Sequence, residues 1–213
     1  MAVLILLAFL LLPYAVKLLG IIFVPSKVSV WSQLELYLWC AVGFVVFYIL
    51  RRFLNRNLEW VETFSHELTH IIVAMLFFRK VHSFNAGLQG GVVETSGKNT
   101  RGIVPMSLAP YCLPIFSYLL LLFRPLIDFE GRWIFDILIG MTLCFHFFCF
   151  RKQTGSFQTD INQFPLSFSY FYIAVAHLMN FCIIWVAFFP KYNVFTSTWR
   201  MITTIWSSIV GLL

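Results

Sequence analysis

Charge is what this sequence lacks most. Charged side chains make up 11% of its 213 residues, against about a quarter in a soluble domain. Hydrophobic residues make up 60%, and the chain carries 25 phenylalanines. That balance excludes an ordinary soluble globular protein and indicates an integral membrane protein. A crossing takes about 20 mostly apolar residues, so one membrane domain over residues 1–213 is the simplest organisation. Basic charge is also sparse. The net charge of +6 is scattered, which suits loop ends at lipid headgroups and gives no nucleic-acid-binding surface. The five cysteines (Cys40, Cys112, Cys144, Cys149 and Cys182) all lie in apolar segments, and no CxxC occurs. A disulfide framework and a zinc knuckle are thereby excluded. The opening "MAVLILLAFLLLPY" has neither the basic start nor the small-residue cleavage site of a signal peptide, and reads as a retained span. Internal repeats and low-complexity tracts are missing too.

What is present is a series of apolar runs ended by charges or prolines. They predict an all-α polytopic membrane protein with about six transmembrane helices, at 2–24, 31–53, 58–78, 103–123, 133–150 and 166–189. The tail "TSTWRMITTIWSSIVGLL" reads as interfacial or as a short last helix. Between the third and fourth spans, "VHSFNAGLQGGVVETSGKNTRG" is rich in glycine, asparagine and serine with short alternations. It predicts a short β-hairpin or re-entrant segment, at the surface or packed on helices, because an open strand edge cannot face lipid. Basic clusters at Arg51, Arg52 and Arg56 and at Arg79 and Lys80 end successive spans, so the charge rule leaves orientation balanced.

The stretch "TFSHELTHIIVAMLFF" places ionisable groups inside an otherwise apolar helix, where they are costly and mark function. His66, Glu67 and His70 form H-E-x-x-H. Positions i and i+4 share a helix face, so both imidazoles can reach one zinc ion at about 2 Å. Glu67, beside them, can take a proton from a water held by that ion. His70 precedes Arg79 by nine residues, which is about 13 Å of helix. Glu67 is therefore expected well below the membrane surface, and the substrate is expected to be a membrane segment.

A catalytic zinc needs a third protein ligand and an open position. The residues leave three candidates. Asp160 in "FQTDINQFP" is the leading one, since a short polar connector can dip back toward the metal. His146 in "CFHFFCF" is the second, as a ligand or as a group supporting one. Glu94, downstream in the glycine-rich stretch, is the third. Asp136 and His177 read as interhelical or near-surface groups, and His82 as a loop residue. Glu62, one turn before His66, reads as orienting a histidine or facing the interface. An edge formed by Gly90, Gly91 and Val92 can hold an extended substrate by strand addition.

With "HELTH", the basic "RK" that ends its helix, "NAGLQGGVVE", the proline-bearing "MSLAPYCLPIFSYLL" and the late "QTDINQ", residues 63–163 resemble the site-2 protease family of intramembrane zinc metalloproteases, in a compact membrane-only form. The resemblance implies a Zn2+ cofactor held by His66, His70 and Asp160, with Glu67 catalytic. It also implies hydrolysis of a peptide bond in or near a transmembrane segment of a membrane protein or peptide substrate, in a bacterial cell (inner) membrane. The family's Asp sits in Asn-Pro-x-x-Asp-Gly or Leu-Asp-Gly; here it stands in Thr-Asp-Ile-Asn. No PDZ-like insert is visible, so substrate gating falls to loops or a partner. Two further readings compete: a non-catalytic scaffold or pseudoprotease binding a partner helix, and a small transporter using the polar cluster as a proton relay. Membrane desaturases are excluded because their histidine boxes need more than the five histidines present. Prenyl-protein proteases are excluded for want of a late E-x-x-x-D.

Overall fold

The computed structural model describes residues 30–87, 90–96, 102–127 and 129–187. The expected span 2–24 and the tail lie outside these residues. Helix α1 runs Val30–Leu76 and is followed by strands β1 (Val81–Gly87) and β2 (Gly90–Thr95). Helix α2 (Ile103–Leu108) continues as a 3-10 turn at Ala109–Tyr111. Helix α3 (Ile115–Phe123) leads through two short 3-10 turns into α4 (Arg132–Gln153). A single turn, α5 (Thr159–Asn162), precedes α6 (Leu166–Ala187).

The spans expected at 31–53 and 58–78 are one continuous helix of 47 residues. The segment "LRRFLNRNLEW" that suggested a break has charge but neither proline nor glycine, and its leucines and arginines favour helix. Its charge is met sideways. Arg51 lies over the Phe148 ring, 3.8 Å from the centroid, and its guanidinium is 3.5 Å from the Glu62 carboxylate.

The run expected as a fourth span, 103–123, is also different: its two halves are bent by 88°. Pro110 opens the 3-10 turn and Pro114 caps α3 with ψ 75°. Each lacks the N–H that a continuous helix would use. Among the described residues, two helical segments are long and apolar enough to cross a bilayer, Tyr37–Leu54 and Arg132–Gln153, or three if the bent pair counts as one crossing. Of the expected spans that fall in these residues, 31–53 and 133–150 correspond to segments that meet this test, and 103–123 does so only as the bent pair. Within α6 the apolar stretch Leu166–Phe181 is shorter.

Helices α1 and α4 meet at two glycines. A Cβ on Gly43 would strike the Ile137 carbonyl, and one on Gly140 the Cys40 carbonyl. Backbones approach this closely only where side chains are missing. Phe47 meets Phe145 edge-on at 5.9 Å and, with Cys144 and Cys149, forms one buried cluster. A Gly140→Leu variant is expected to lose about 1–3 kcal/mol or more through overpacking, read as a lowered unfolding temperature in detergent.

The expected hairpin is present. Strands β1 and β2 pair antiparallel from Val81↔Thr95 to Gly87↔Gly90, with an irregularity between Val81 and Ser83. It is pinned to α1 by aromatics. Trp60 Nε1 donates to the Ala86 carbonyl at 3.1 Å, and Phe64 meets Phe84 edge-on at 5.9 Å.

Candidate metal centre

His66 and His70 project from the same face of α1, as their spacing requires. What lies opposite them is set by three distant segments. The α5 turn carries Asp160 and is anchored by its neighbour Ile161, which is fully buried against Leu108, Tyr111 and Ile173. Ser169 Oγ donates to the Ile161 carbonyl at 2.9 Å. With Ile161 held, Asp160 Oδ2 stands 3.6 Å from His66 Nε2 and 3.3 Å from His70 Nε2. Tyr111 Oη donates to the same oxygen at 3.3 Å, and its ring stands edge-on to His66.

Helix α2 brings in the next support. His70 Nδ1 lies 2.8 Å from the Met106 carbonyl oxygen. A carbonyl only accepts, so Nδ1 carries the ring hydrogen. Nε2 is the ring atom turned toward Asp160, where a neutral His70 presents a lone pair that a metal ion could take up. Burial opposes charge on Asp160, but the His66 and His70 imidazoles facing it outweigh burial and hold its carboxyl well below the usual carboxylate range.

The donor set fits a metal ion. One atom each from His66, His70 and Asp160 lies within 4.8 Å of the others, the one such group among the described residues. Ligands about 2.1 Å from a common tetrahedral centre are about 3.4 Å apart, close to the two N–O separations here. Two imidazoles and one carboxylate match the three-ligand pattern of catalytic zinc, which keeps one position open.

Glu67 is buried beside this group. Gly91 of β2 rests on it so closely that a Cβ would overlap the Glu67 side chain. Centre and strand border one open cavity of about 740 Å³, whose lining includes Glu67, Gly90, Gly91 and Val92. Among the described residues the sheet has two strands, and β2 pairs with β1 alone.

The other candidates are elsewhere. Glu94 is exposed, on the strand face opposite Gly91 and Val93, and is not part of the cavity lining. His146 stacks on His177, ring centroids 5.2 Å apart. It shares only a void of about 10 Å³ with His66, Thr69 and Gln153. Asp136 is taken by Arg124, at 2.6 and 3.1 Å. The Glu62 carboxylate is bound by Lys152 at 2.8 Å, and His82 is exposed on β1. Sequence reasoning missed Tyr111, Gln153 and the Met106 carbonyl. No local spacing announces them, because each acts across tens of residues.

The sequence matches the family described as peptidase M50B-like over residues 37–205. No curated protein and no solved structure matches it.

Proposed function

Since the chain belongs to the peptidase M50B-like family, which is the site-2 protease family of membrane-embedded, zinc-dependent peptidases, we propose that it is an intramembrane zinc metalloprotease, built as one membrane domain over residues 1–213. Its substrate is a membrane protein or peptide, cut in or near a transmembrane segment, in a bacterial cell membrane. The observation that carries this reading is the convergence of His66 Nε2, His70 Nε2 and Asp160 Oδ2 beside the buried Glu67. Those three side chains would hold the ion. Zinc held there would supply Lewis acidity, polarising the scissile carbonyl and making an attacking water acidic near about pH 7.

The chain's own groups do the rest. Glu67 accepts the water's proton as the oxygen attacks the carbonyl carbon, then delivers a proton to the departing amine nitrogen. Gly90, Gly91 and Val92 offer main-chain hydrogen bonds to an unwound stretch of substrate. Because the Gly91 backbone lies against Glu67, a peptide paired along β2 passes that carboxylate. Tyr111 and the Met106 carbonyl keep Asp160 and His70 aimed.

The test is zinc content of the full chain purified in detergent, joined to cleavage of a library of single-span peptides in liposomes. One zinc per chain is expected, with cleavage lost on chelation and restored by zinc. His66→Ala and His70→Ala are each expected to abolish both. A chain with no zinc and no products favours the scaffold or pseudoprotease reading instead.

A further inference from the structure

We infer that Gln153 is the positioning residue that sets the tautomer and aim of His66, and so the tightness with which the centre grips its metal; this rests on the metalloprotease reading above. Gln153 is the last residue of α4. Its side-chain amide is used at both ends. Nε2 donates to the main-chain carbonyl of Glu62 at 3.4 Å, and Oε1 lies 3.1 Å from His66 Nδ1. A carbonyl oxygen can only accept, so the NH2 end must face Glu62 and the oxygen must face His66. An oxygen there obliges Nδ1 to carry the ring hydrogen. The lone pair is then on Nε2, the atom turned toward Asp160. The reversed amide would set oxygen against oxygen and NH2 against Nδ1, selecting the tautomer with a hydrogen where the metal should bind.

The amide is itself held in place. Its neighbour Lys152 places Nζ 2.8 Å from the Glu62 carboxylate, which Arg51 approaches from the other side at 3.5 Å. The end of α4 is thus tied to α1 one turn before His66. His70 differs in kind, because its Nδ1 acceptor is the Met106 backbone carbonyl, which no side-chain replacement removes. His66 is the imidazole of the pair whose orientation hangs on a side chain.

The experiment measures zinc affinity of the full chain in detergent by competition with a chromophoric chelator, for wild type, Gln153→Leu and Gln153→Glu. Loss of a ligand-orienting hydrogen bond is expected to weaken zinc about 10–100-fold in the leucine variant. The glutamate variant keeps an acceptor for Nδ1 and makes His66 more basic but gives up the hydrogen bond to the Glu62 carbonyl, so it is expected to bind within about tenfold of wild type and more tightly than the leucine variant. The visible spectrum of the cobalt-loaded protein should shift in the leucine variant alone. Leucine affinity equal to wild type overturns the inference. A glutamate variant weakened by about 10–100-fold also overturns it, since an acceptor kept at Nδ1 would then make no difference; this arm stands even where the leucine variant does not fold. A wild type that binds no zinc sinks the metalloprotease reading and this inference together. A zinc-binding wild type with an unaffected leucine variant sinks this inference alone.

Discussion

Glu67→Gln is expected to keep its zinc and lose about 10²–10⁴-fold in cleavage rate, the range a positioned general base supplies. The replacement is nearly isosteric. That matters because Gly91 leaves no slack against the Glu67 side chain, and a larger or differently shaped residue would move β2 as well. The amide cannot accept the water's proton, so the chemical step fails while the ligand set of His66, His70 and Asp160 is untouched. Zinc stoichiometry and unfolding temperature should match wild type, and only product formation from liposome-borne peptides should fall. Undiminished cleavage would remove Glu67 from the role of base. If neither wild type nor variant cleaves, while both bind the same helix, the scaffold reading stands.

The second large effect is expected at Asp160. Asp160→Asn removes the charge of the third ligand, and zinc affinity should fall further than the 10–100-fold that loss of a supporting partner costs. Asparagine is chosen over alanine for a physical reason. Tyr111 is fully buried and gives its hydroxyl to Asp160. An acceptor taken away there would cost about 1–3 kcal/mol in stability and blur the result, whereas the asparagine oxygen can still accept. His146→Leu and Glu94→Gln are the matched controls. His146 is stacked on His177 and Glu94 is exposed, so both variants should titrate with zinc as wild type does. Zinc lost from the His146 variant but kept in the Asp160 variant would exchange their roles.

Placing Asp160 needed more than its position in a polar connector. Its own contribution to the sequence pattern, one acid between two apolar runs, equally describes a solvated loop. The deciding residue is Ile161, whose full burial against Tyr111 and Ile173 turns the α5 peptide inward. Glu94 shows the opposite case. Strand alternation puts it on the face away from Gly91 and Val93, and that phase depends on which side of the hairpin docks on α1. The break expected between 53 and 58 is continuous helix for a related reason. Charge at Arg51 and Arg52 resembles a membrane boundary in one dimension, but Phe148 and Glu62 receive Arg51 from the side.

Read alone, the sequence determined the apolar character of the chain, the hairpin after the motif, and the shared face of His66 and His70. Each follows from composition or from a period of a few residues, which local backbone geometry obeys wherever the segment ends up. Tertiary structure alone decided which side chain faces the two histidines, the direction of each imidazole and the approach of α2 that brings in the Met106 carbonyl. Those contacts join residues 36, 49 and 87 positions apart, and at such separations it is the packing of whole helices that selects which atoms meet.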